Sequence, residues 1–268
     1  MKKIGYLVFS IVLCVTLAAC SNQTGKGEEK DSNTPPPATP TVTDTPKEPD
    51  EPVDNPSEMY QAYFTVLENL IQNHVLPDGI DVGEPFGDVS ENKFAVYDID
   101  NDGKEELIIL YSTTATVGMA GCVYGYNSET GTLQAELQEF PSLTFYDNGI
   151  VKALWSHNQG LAGDFWPYNL YQYNTDSDSY TLVGMVDAWD KKYVETDYEG
   201  NSFPSDIDKS GTGIVYYIME DGEYDNTHPV DAAEYEEWTD SHIGEALEIQ
   251  IPYMNLTEEN IAQIKNGL

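Results

Sequence analysis

Met59, Tyr60, Tyr63, Phe64, Val66, Leu67, Leu70 and Ile71 recur at helical spacing. With Ser57 as a candidate N-cap and Glu58 behind it, the pattern predicts a helix over residues 58–74. His74 falls at its end, where a cation suits the helix dipole. Residues 76–92 are rich in Gly, Pro and Asp and read as loop. The period then changes to two. Phe94, Val96 and Tyr97 lead into an acidic stretch, and Leu107-Ile108-Ile109-Leu110-Tyr111 leads out of it. That near-continuous apolar run is the pattern of a buried central strand.

Strand pairs follow at 123–126 and 133–137, at 143–146 and 150–155, and at 168–173 and 180–186. The middle pair flanks Asp147-Asn148-Gly149, a strong hairpin signal. A last strand is expected at 214–219. Helix returns where Asp231-Ala232-Ala233-Glu234 reads as a capping box and Val230 and Tyr235 as a hydrophobic staple. Thr257 caps a final short helix with Ile261, Ile264 and Leu268 on its buried side. The pattern predicts an α+β fold: a largely antiparallel β-meander sheet, with helices from the N- and C-terminal ends of the domain packing on one face. It assigns residues 57–268 to a single globular domain.

The first 56 residues lack this patterning. Lys2 and Lys3 precede an apolar run at 4–17, which ends Leu17-Ala18-Ala19-Cys20-Ser21. The run is short for a membrane span and suits an export signal. The segment resembles the bacterial lipoprotein signal with its lipobox. That resemblance implies a signal peptide over 1–19, cleavage before Cys20, and lipid on the sulfur and new amino group of Cys20. Residues 20–56 are dominated by Pro, Thr, Asp and Glu, as in Thr34-Pro35-Pro36-Pro37-Ala38-Thr39-Pro40. Such a segment buries too little apolar surface to offset its ordering entropy, and reads as a disordered tether.

Charge narrows the partners. The 268-residue chain carries a formal charge of −35, and its 12 basic residues are all lysine. A surface this acidic speaks against nucleic acid and against a polybasic membrane face. The membrane is then met through the N-terminal lipid only, and the long acidic tether leans towards a Gram-positive cell surface. Of three cysteines, Cys14 falls in the signal and Cys20 in the lipobox, leaving Cys122 in an apolar run, where it reads as a small buried hydrophobe.

The densest chemistry is Asp98-Ile99-Asp100-Asn101-Asp102-Gly103-Lys104-Glu105-Glu106. Alternating carboxylates with glycine at the sixth position can fold inward around one hard cation such as Ca²⁺. The ninth position is Glu106, the twelfth is Ile109, and both flanks read as strand, which disfavours an EF-hand. The segment resembles the strand-loop-strand calcium motif of FG-GAP and VCBS-type repeats. That resemblance implies calcium held by Asp98, Asp100 and Asp102 side chains, the Lys104 carbonyl and Glu106, which stands where the family usually has Asp. One copy is found, so a closed propeller is not supported. Residues 174–179 copy the spacing without the glycine, with Leu182 at the ninth position, and read as a polar turn, with a weak second ion as the alternative on the same ligand count.

A second unusual stretch runs from Trp155 to Tyr168. Trp155 and Trp166 beside His157, Asn158 and Asp164 suit stacking on and hydrogen bonding to a sugar. His157 and Asp164 also suit an acid–base pair, while the competing structural reading is an Ω-type loop whose aromatics plug the sheet end. No nucleophile elbow, zinc helix or phosphate-cradling loop occurs. The expectation is a lipid-anchored surface protein that binds a glycan, a wall component or another protein without catalysis. Its rival is an extracytoplasmic hydrolase centred on His157 and Asp164.

Overall fold

Tyr63, Leu67 and Leu70, four and three residues apart, line one side of α1 (Pro56–Asn73) and are fully buried. A computed structural model describes residues 56–156 and 160–265. The expected signal peptide, Cys20, the tether up to residue 55, His157, Asn158 and Leu268 lie outside the described residues. The helix closes at His74, whose φ of 56° is left-handed, the conformation common just past a helix end. The His74 Nδ1 lies 3.3 Å from the Tyr111 hydroxyl.

The strands follow as β1 (Lys93–Tyr97), β2 (Glu106–Tyr111), β3 (Ala120–Asn127) and β4 (Thr132–Glu139). Next come β5 (Leu143–Phe145), β6 (Ile150–Leu154), β7 (Tyr168–Asn174), β8 (Ser179–Asp190), β9 (Ile214–Met219) and β10 (Pro229–Val230). Then come α2 (Ala232–His242), β11 (Met254–Asn255) and α3 (Glu258–Ile264). All strand pairs are antiparallel, and the fold is α+β with meander sheets.

The strands divide between two sheets, ordered β11-β1-β2-β3-β4 and β10-β9-β8-β7-β6-β5. The break falls at Phe140-Pro141-Ser142, where proline has no N–H to continue a ladder. One face of the first sheet, with Phe94, Val96, Leu107, Ile109 and Tyr124, packs on α1 and on Ile261 and Ile264 of α3. Its other face, with Ala95, Ile108, Val123 and Leu137, meets Phe145, Val151, Tyr171 and Tyr180 of the second sheet. The second sheet's outer face, with Ile150, Tyr168 and Leu170, is covered by Tyr235 and Trp238 of α2. The helices therefore cover opposite outer faces and not the single face that the pattern predicts, because the two sheets stack on each other and each leaves one apolar face to be covered. Burying a Leu, Ile or Phe side chain stabilises by roughly 1.5–3 kcal/mol, so β2, apolar on both faces, requires a covering layer on each side.

Two local features differ from the pattern. Asp231 stands at the N-cap of α2, but its carboxylate accepts from Ser210 N–H (3.1 Å) and Oγ (2.6 Å) instead of the helix's first turn. In β4, Ala135 pairs with Tyr124 and Leu137 with Val123, leaving Glu136 as a bulge. Alternation alone puts Leu133, Ala135 and Leu137 on one face. The bulge instead sends Leu133 towards the helices and Leu137 towards the second sheet.

Candidate metal centre

Tyr97 and Glu106 are directly paired, so residues 98–105 close a loop between two ladder-bonded strands. Asp100 Oδ1 accepts from the Asp102 N–H at 3.0 Å, and Asp102 Oδ1 accepts from the Lys104 N–H at 2.7 Å. These turns wind the loop back on itself. Asn101 (φ 62°) and Gly103 (φ 91°) adopt the left-handed conformation, which asparagine tolerates and glycine takes at no steric cost. The far end is fixed by α1. The Tyr63 hydroxyl donates to the Glu105 carbonyl at 2.6 Å, and the Tyr60 hydroxyl donates to the Glu105 carboxylate.

Glu106 is 3% exposed, and its Oε2 accepts from the Ile99 N–H at 2.9 Å. One carboxylate oxygen from each of Asp98, Asp100 and Glu106 lies within 4.8 Å of the others. A second triad, at the same mutual spacing, joins Asp100 to Glu136 of the β4 bulge and Asp178 of the β7–β8 turn. Three atoms so spaced share a centre within about 2.8 Å of each, a few tenths beyond calcium–oxygen distances of about 2.3–2.6 Å. Neither triad includes Asp102. Asp102 Oδ2 lies 3.7 Å from the Lys104 ammonium.

The electrostatics are those of crowded acids. Asp98 Oδ1, Asp100 Oδ2 and Glu136 Oε2 are buried and take no hydrogen bond. Burial pushes Glu106 up to about 9, against the opposing pull of the Ile99 N–H. Burial, then the charges of Asp178 and Asp100, push Glu136 up to about 8. Asp100 is also raised, chiefly by burial, while the Tyr173 hydroxyl pulls it down. That hydroxyl donates to Asp178 Oδ1 at 2.7 Å. A cleft of about 250 Å³ opens onto the cluster between Tyr60, Lys104, Glu106, Tyr126, Glu136 and Asp178. The donor set is all oxygen and mostly carboxylate, which suits a hard divalent cation and not a soft one.

Asp98, Asp100 and Glu106 thus come together as their spacing predicts, and two partners come from elsewhere in the chain. Asp178 belongs to the turn read from sequence as polar, with a weak second ion as the alternative; its φ of 49° is left-handed. Glu136 carried no sequence signal, because only the bulge turns it inward.

The stretch from Trp155 to Tyr168 is arranged differently. The Trp155 indole N–H donates to Asn169 Oδ1 (2.7 Å), and the Trp166 indole N–H donates to the Trp155 carbonyl (2.8 Å). Ala162 is buried, and Phe165 packs edge-on to Tyr216 and Tyr235. These are the marks of a loop that plugs a sheet end. Asp164 is exposed, accepts from the Tyr193 hydroxyl and lies 3.5 Å from the Lys192 ammonium. Beside the loop, Gly160, Leu161, Asp187, Tyr198, Tyr217 and Tyr224 line another cleft of about 250 Å³. Tyr198 is 83% and Tyr224 58% exposed, and the Tyr224 hydroxyl donates to Asp187 Oδ2 at 3.0 Å. Cys122 is fully buried, and burial pushes its thiol up to about 12, so it packs as a hydrophobe.

Comparison with protein-family models, curated proteins and solved structures finds no match to this chain.

Proposed function

We propose that this chain is a lipid-anchored, extracytoplasmic bacterial surface protein whose folded part is a calcium-bearing, non-enzymatic binding module. The observation that carries the calcium reading is the pair of buried, unpaired oxygens on Asp98 and Asp100. Buried polar groups are ordinarily paired, and leaving one unpaired costs about 1–3 kcal/mol, more when charged. A divalent cation offsets both that cost and the mutual repulsion of the acids. In this reading Asp98, Asp100 and Glu106 hold the ion through side chains, with Asp102 and the Lys104 carbonyl completing the loop. The ion serves structure, since it joins β1 to β2 where acids would otherwise force them apart.

The lipoprotein-like signal, the lipid on Cys20 and the tether supply the location, and the acidic surface leaves a glycan, wall component or protein as the ligand class. The tyrosine-lined cleft beside Asp187 supports the glycan among these, because flat aromatic faces next to a carboxylate suit sugar rings. Thermal unfolding of the full chain tests the calcium reading. Millimolar calcium is expected to raise the melting temperature by several degrees, as about 1–2 kcal/mol does in a domain of this size, and a chelator to reverse the shift. A melting curve indifferent to both would overturn it.

A further inference from the structure

The loop motif accounts for only one of the two acidic triads. Asp100, Glu136 and Asp178 come from three separate segments: the β1–β2 loop, the β4 bulge and the β7–β8 turn. The first two belong to one sheet and the third to the other. The two triads share Asp100 and no other residue, and the mutual 4.8 Å spacing that holds within each does not extend over both together. Each carboxylate has two oxygens, and Asp100 can face both positions at once.

Glu136 gives the independent sign of a ligand. It is 7% exposed, yet its Oε2 takes no hydrogen bond. Room for it is built into the facing strand, where a Cβ on Gly125 would stand 2.1 Å from Glu136 Oε1. Tyr173 orients the third ligand by donating to Asp178 Oδ1, which leaves Oδ2 for a cation.

We propose that Asp100, Glu136 and Asp178 bind a second hard divalent cation, of the calcium type, at the seam between the two sheets, with Asp100 bridging it to the loop ion. This deepens the calcium reading above and rests on it. The second ion joins β4 and the β1–β2 loop of one sheet to the β7–β8 turn of the other, so it acts between sheets where the loop ion acts within one.

Equilibrium dialysis of the full chain against saturating calcium counts the ions. Two per chain are expected, falling to one in Glu136→Gln and in Asp178→Asn, substitutions that remove charge with little change in shape. Asp98→Asn lies in the loop triad alone, and is expected to lose the other ion. One ion in the unaltered chain would overturn the second site and leave the loop reading standing, even if the variants failed to fold. Two ions retained by either Glu136→Gln or Asp178→Asn would also overturn it. No bound calcium in the unaltered chain would overturn both readings together.

Discussion

Glu106 and Glu136 carry the sharpest chemistry at the scale of single residues. Each is a buried carboxyl raised well above its ordinary value of 4.5, to about 9 and about 8. Without a cation, the folded protein therefore holds these protons more tightly than the unfolded chain does. Their contribution to stability is whole below pH of about 4.5 and is lost as pH rises through about 8–9. Calcium competes with the same protons, so its apparent affinity rises across that window. The expected result is a chelated protein whose melting temperature falls between pH 5.5 and 8.5, and a calcium-induced gain that is larger at the upper value. A calcium effect that was the same at both pH values would contradict this coupling. Asp98, Asp100 and Glu106 were legible in the sequence because they are near neighbours in one loop. Glu136 was not, since an isolated acid in a strand reads as a solvated position until the register is known.

The elements show where pattern succeeds and where it stops. A near-continuous apolar run marks β2, which is buried on both faces, and the 3.6 period marks α1, which buries one stripe. The division into two sheets was not legible, since the hairpins on either side of Pro141 look alike in sequence. The pairing of β11 with β1 was missed for a different reason: two residues are too few to show a period. The bulge in β4 is a long-range effect, set by the packing of Leu137 against Phe145 and Val151. The segment from Trp155 to Trp166 read as a candidate binding loop on composition, but its described indole N–H groups are committed within the fold. The exposed aromatic faces lie beside it, at Tyr198 and Tyr224. On a glycan array the full chain is expected to capture a sugar polymer, and Tyr198→Ala to weaken capture by about tenfold, the scale of losing one stacked ring. An array with no hits would remove the glycan and leave a protein ligand.

At the scale of the whole molecule, the fold is two meander sheets stacked between helices, and the acid cluster stands where the β1–β2 loop and β4 bulge of one sheet meet the β7–β8 turn of the other. Apolar packing through Ile108, Val123, Phe145 and Val151 already holds the sheets together away from that corner. At the corner itself, the carboxylates of Asp98, Asp100, Glu106, Glu136 and Asp178 gather, Lys104 pairs with the neighbouring Asp102, and the Tyr173 hydroxyl donates from the second sheet. On the calcium reading, an ion there changes the balance from repulsion to cross-linking while leaving distant elements alone. Hydrogen exchange of the full chain, with calcium and with chelator, tests this most directly. Calcium is expected to slow exchange in peptides covering residues 98–106 and 173–180 together, with residues 214–230 unchanged. Equal exchange in both acidic segments with and without calcium would contradict a cation at the junction of the two sheets.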